Sequence, residues 1–142
     1  MKKNFRLQKI LEYRERIVDL EKNKLAEING KLTNTNNKIK TTDTEITKQV
    51  DDRQTAENMF KIMYDKYIKK LTYEKTELIK LKKQLELNIE LQKKKVMEAI
   101  ERHKIMQKLK DQHVENYRMF LNKEEMKMID ELAVTRSARN ED

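Results

Sequence analysis

Apolar side chains recur every seven residues along most of this chain. One row runs Leu71, Leu78, Leu85, Gln92, Ala99, Met106, His113 and Phe120. A companion row, three or four residues off the first, runs Tyr67, Leu81, Ile89, Val96, Leu109 and Tyr117, with a slip near Asn88. A seven-residue interval gathers these positions into one narrow stripe on an α-helix, which can be buried only against another helix. Most positions between the rows are Lys, Glu or Gln, so the rest of the surface faces water. The pattern predicts one arm of a coiled coil.

The partner arm precedes it, over about residues 5–50. Leu11, Val18, Leu25, Leu32, Ile39 and Ile46 keep the same interval, beside a poorer row of Arg14, Glu21, Ile28, Thr35, Thr42 and Gln49. One good seam beside a mostly polar one gives a helix that depends on tertiary contact. Gly30 falls inside this arm, and the stripe continues through it, so it reads as a weak spot and not a turn. Six threonines between Thr33 and Thr47, with Asn34, Asn36 and Asn37, make that stretch the poorest helix former of the arm.

No proline or mid-chain glycine marks the reversal. Asp51–Thr55 is the expected site, because the first seam stops after Val50 and Asp and Thr are good N-cap types. A turn at residues 70–75 would equalise the arms but would cut the run Phe60, Met63, Tyr67, Leu71, Leu78. The second arm then covers about residues 56–136, with a short helix or bend admitted after the turn and a polar, frayed tail over 137–142. The expected architecture is all-α: a single coiled-coil domain over 1–142, made of two long helices in an antiparallel hairpin. Met59–Ile68 carries more large apolar residues than one seam needs, which suits either a cap on the hairpin end or a docking patch.

Composition agrees with this reading. Ala, Glu, Lys, Leu and Arg account for 69 of the 142 residues, near the half that accompanies long helices and coiled coils. There is no cysteine, hence no disulfide framework or thiolate chemistry. No apolar run approaches a membrane span, and no apolar segment follows the basic N-terminus as a secretory signal would require, so a cytoplasmic protein is expected. The formal charge is +8, and residues 61–95 hold eleven Lys against five acids. Such a face can meet anionic lipid, nucleic acid or an acidic protein, or can simply be solvated.

Candidate chemistry is sparse. A two-helix seam encloses no pocket where polar groups converge. His103 and His113, the only histidines, are ten residues apart and so about 80° apart around a helix, which does not suit a shared metal. The carboxylates interleave with Lys at helical spacing, as surface pairs do. A non-enzymatic protein without metal or cofactor is expected. No dense Arg/Lys block precedes a leucine heptad, so specific nucleic-acid recognition is not expected either.

Two terminal motifs go further. Phe5-Arg6-Leu7-Gln8-Lys9-Ile10-Leu11-Glu12-Tyr13-Arg14 resembles the F-x-L-Q-x-(L/I)-L-x-x-R start of the flagellar export FliJ family. Tyr117, Glu124 or Glu125, and Met128-Ile129-Asp130-Glu131-Leu132-Ala133-x-x-Arg136 resemble its Y…E…(L/M)-D-E-(L/F)-A-x-x-R close. Tyr67-Ile68-Lys69-Lys70-Leu71 is similar to its mid-chain aromatic-x-x-x-Leu element. The chain departs from the family in lacking a glycine at the turn and in its Thr/Asn-rich stretch.

The resemblance implies a component of the flagellar type III export apparatus: a coiled-coil stalk that binds the ring of the export ATPase FliI and links it to the export gate protein FlhA, with export chaperones as further partners. It implies a site on the inner face of the cell membrane reached through that apparatus, without a transmembrane segment. Phe5, Leu7, Leu11, Arg14, Tyr117, Glu124, Asp130, Glu131 and Arg136 are the implied ATPase-facing residues. Phe60, Tyr67 and Leu71 are candidates for docking to the gate. The alternatives are the corresponding stalk of an injectisome, a generic homo-oligomeric coiled coil, and a basic scaffold at an anionic membrane or nucleic-acid surface.

Overall fold

Absence of proline and abundance of Lys, Glu and Leu leave little to interrupt a helix, and two helices account for nearly all of the chain. A computed structural model describes residues 1–141; α1 spans Gln8–Thr55 and α2 spans Asn58–Glu141. Only Ala56 and Glu57 separate them.

The reversal therefore lies after the expected segment, and Asp51–Thr55 is the last part of α1. Arg53 is one contributor. It continues the seam rhythm beyond Gln49, and its cation in the last helical turn suits the dipole of α1. From there its guanidinium reaches the Asp65 carboxylate on α2 with two hydrogen bonds, at 2.6 and 3.3 Å. The link itself is a tight sequence of backbone bonds: the Ala56 N–H donates to the Arg53 carbonyl and the Phe60 N–H to the Glu57 carbonyl. No residue here has positive φ, so the turn needs no glycine. The second arm starts at Asn58 and is continuous; at its far end it passes Arg136 and includes the residues expected to fray, as far as Glu141. Asp142 lies outside the described residues.

By packing, the chain forms two compact units: Asp19–Met97, and Met1–Val18 with the chain from Glu98 onward. Within Asp19–Met97 the helices run antiparallel, since Glu21, Asp43 and Arg53 on α1 meet Gln92, Lys75 and Asp65 on α2. Leu71, Leu85, Ile89 and Val96 are buried, and Leu25, Ile28, Leu32, Ile39 and Ile46 half-buried. Both rows expected on α1 are the covered ones. On α2 the Leu71–Leu78–Leu85–Gln92 row is covered as expected, but the companion row is not the expected one. Tyr67 and Leu81 are 41% and 47% exposed, and Ile68, Lys75 and Lys82 take their places. There is no slip near Asn88: the repeat is continuous once Lys is admitted to it. A lysine stem packs along apolar surface while the ammonium stays in water, so Lys can hold a seam position.

The seam of this unit is also partly polar. Thr35 is 5% exposed and Gln92 6%. All six threonines of residues 33–47 turn their hydroxyls onto the carbonyl four residues back, which gives those side chains an internal partner within an unbroken helix.

In the other unit, Leu11, Val18 and Ala99 are buried, and His103, Met106, Lys110, His113, Tyr117 and Phe120 half-buried on the same continuous repeat. Leu109 is 40% exposed, displaced from the expected row by Lys110 for the reason just given. From Leu121 to Asn140 every residue of α2 is exposed. Coverage stops where the first arm runs out: α1 begins at Gln8, and Lys3 and Phe5 ahead of it already lie against His113, so no described residue faces α2 beyond Phe120.

Candidate partner-binding surfaces

The N-terminal residues are positioned by backbone bonds before α1 begins. The Gln8 N–H donates to the Phe5 carbonyl at 3.1 Å, closing a turn that sends Phe5 back toward α2. There its ring lies 5.7 Å from that of His113, tilted by 44°. The same imidazole has its Nε2 at 3.2 Å from the Lys3 carbonyl. His113 thus binds the N-terminal segment. Beside it lies an open groove of about 600 Å³ lined by Lys3, Phe5, Gln8, Lys110 and Val114 among others. Next along α2, the Tyr117 and Phe120 rings sit 6.3 Å apart.

Of the residues expected to form the ATPase-facing surface, Phe5, Leu7, Leu11 and Arg14 are brought to this paired region together with Tyr117. Their exposure differs sharply. Leu11 is 4% exposed, so it holds the seam and presents no surface, whereas Phe5, Leu7, Arg14 and Tyr117 are half-buried. Glu124, Asp130, Glu131 and Arg136 lie apart from them on the uncovered end of α2. Among the described residues their recorded contacts stay on that helix: Glu124 pairs with Lys127 at 3.6 Å, and the Glu131 carbonyl accepts from the Thr135 hydroxyl at 2.9 Å. Just before this stretch, Arg118 binds Glu115 at 2.7 Å, and that hydrogen bond and opposite charge raise the affinity of the guanidinium for its proton.

The uncovered stretch has an apolar side of its own. Met126, Ile129 and Ala133 recur at three- and four-residue intervals, with Met128 and Leu132 alongside, and the four large ones are all more than half exposed. In the heptad frame set by Tyr117 and Phe120 these positions mostly point away from the seam. They are not a continuation of the intramolecular interface.

At the turn, within the unit Asp19–Met97, Phe60, Met63, Tyr64 and Tyr67 line a groove of about 440 Å³ with Gln49, Ala56 and Glu57. Phe60 and Tyr67, two of the three gate candidates, face this groove and remain accessible. Leu71, the third, is 7% exposed and belongs to the seam. No sequence signal beyond their seam position marks Gln49 and Ala56 as part of this surface.

Among the described residues there is no cluster of His, Cys, Asp and Glu able to hold a metal ion, and no helix is long and apolar enough to cross a membrane. The surfaces are open grooves and helix faces, suited to protein contacts more than to small molecules.

The family model described as the flagellar FliJ protein matches residues 1–142, the whole chain. The chain belongs to the FliJ family. No curated protein and no solved structure matches it. FliJ membership makes it a component of the flagellar type III export apparatus, in a family of non-enzymatic components, and ties it to flagellar biogenesis and protein export. The antiparallel coiled-coil hairpin agrees with the fold that the FliJ motifs imply.

Proposed function

We propose that this chain is the coiled-coil stalk of the export ATPase. The open-end residues Phe5, Leu7, Arg14 and Tyr117, with Glu124, Asp130, Glu131 and Arg136, contact the FliI ring, and Phe60 and Tyr67 at the turn dock the gate protein FlhA. Export chaperones are further partners on the same apparatus. The protein works at the cytoplasmic face of the cell membrane, held there through these partners. The observation that carries the reading is the end of α2: twenty residues, Leu121–Asn140, are helical and exposed, and their large apolar side chains, Met126, Ile129 and Leu132 among them, are not covered by α1. An exposed apolar helix face flanked by acids and bases is an element that docks into a partner groove.

Co-purification of the full chain with the flagellar export ATPase tests this. Asp130→Lys and Ile129→Asp are expected to lower ATPase capture at least about tenfold with the helical melting curve unchanged, since neither side chain is covered. Leu11→Asp should lower both, because it breaks the seam first. Undiminished capture by the first two variants would overturn the assignment of this surface. Phe60→Ser with Tyr67→Ser should spare the ATPase and weaken capture of the gate protein.

A further inference from the structure

Lys66, Lys69, Lys70, Lys80 and Lys83 are all exposed and share one face of α2 within the unit Asp19–Met97. In the 3.5-residue frame of the seam they occupy the three heptad places opposite it, an arc of about 100°. Ile62, Tyr73 and Leu87 stand in the same arc, exposed to 63%, 66% and 62%. Between Ile62 and Leu87 this arc holds a single acid, Glu77, which pairs with Lys80 at 3.3 Å. The other four lysines make no ion pair among the described residues. The outward face of α1 in this unit is different, being mainly Thr and Asn between Thr33 and Thr47. One helix of the hairpin therefore carries a basic, apolar-studded face and the other a neutral one.

We propose that this face of α2 lies directly on an anionic lipid bilayer. Charge alone would suit any polyanion, but two features select a membrane. Apolar side chains interleave with the lysines, and such residues gain by entering the boundary between headgroups and acyl chains while the lysines reach up to the headgroups. Tyrosine is also favoured at that boundary. Second, there is no arginine between Gln54 and Glu101, so the bidentate fork that nucleic-acid phosphates and guanine favour is missing from the whole face. The stretch from Ile62 to Leu87 is an uninterrupted helix of about 40 Å, long enough to present every one of these residues to a plane at once. The contact is separate from the groove at Phe60 and Tyr67 and does not depend on the partners proposed above.

The test is co-sedimentation of the full chain with vesicles of phosphatidylcholine containing about 30% phosphatidylglycerol, at about 0.1 M salt. Binding is expected, with none to phosphatidylcholine alone. Each lysine near such a surface contributes about fivefold, so the triple variant Lys69→Gln, Lys70→Gln, Lys83→Gln should partition about 100-fold less. The control triple Lys38→Gln, Lys40→Gln, Lys48→Gln removes the same charge from α1 and should lose less than about tenfold. Melting curves of both triples should match that of the parent chain. Equal loss in the two triples, or no binding to the anionic vesicles, overturns the proposal. So does tighter binding of a DNA duplex under the same salt, weakened by the same three α2 substitutions, which would assign the face to nucleic acid.

Discussion

The Gln92 side-chain amide donates to Glu21 twice, to its backbone carbonyl at 3.0 Å and to its carboxylate. Within its unit Gln92 ends a row otherwise built of Leu71, Leu78 and Leu85, and a buried polar pair across the seam favours one register over its neighbours. Gln92→Leu leaves the half-buried Glu21 carboxylate with only Lys24, at 3.7 Å, and is expected to cost about 1 kcal/mol in urea unfolding. Pairing it with Glu21→Leu should more than recover that loss, because two apolar groups replace a desolvated polar pair. A double variant less stable than the parent would show that the pair stabilises outright.

Leu81 and Lys82 exchange the roles that their types suggest. Lys82 lies on the seam and Leu81 on the flank. Lys82→Leu should therefore raise unfolding free energy by about 1 kcal/mol, and Leu81→Lys should change it by less than about 0.5 kcal/mol. Thermal melts of the two variants read the register directly; the opposite ranking would restore Leu81 to the interface.

Arg53 and Asp65 close the turn with two hydrogen bonds, but both side chains are more than a third exposed. Asp65→Asn should lower global stability by less than about 1 kcal/mol. Its larger effect is local, and amides near the turn should exchange faster, in a manner that high salt mimics in the parent chain.

Gly30 offers the cleanest gain. A methyl group there meets no atom within 4 Å, and its φ is not positive. Gly30→Ala should add about 1 kcal/mol and raise the melting temperature by about 3 °C without touching any partner surface. A loss would mean that the helix is bent or crowded at this point in solution.

Much of this arrangement was legible in the residues. On α1, apolar Leu, Val and Ile at every seventh position defined both rows, polar members such as Thr35 included, because the rhythm and not the chemistry of each side chain decides what is covered. On α2 the same reliance on apolar type misled, selecting Leu81 and Leu109 over Lys82 and Lys110; a flexible stem hides its apolar length behind a charged end. The turn was displaced by a few residues because cap preferences describe Asp51–Thr55 in isolation, whereas the Arg53–Asp65 pair is visible only once both helices exist. For the proposed partner surfaces the motifs name candidates but carry no information on accessibility, and Leu11 and Leu71 are two motif residues that the seam buries.

The short link between Ala56 and Glu57 also orders events in time. Contacts that close the shortest loops form with the least loss of chain entropy. The Arg53–Asp65 pair spans 12 residues, Gln92–Glu21 spans 71 and His113–Lys3 spans 110. Folding is accordingly expected to zip from the link outward, and pulsed hydrogen exchange should find the amides near Arg53 protected before those near Leu11. Breathing follows the reverse path. Phe5, Leu7, Arg14 and Tyr117, which meet the export ATPase in the reading above, are then the last to dock and the first to loosen, which leaves them free to rearrange on a partner.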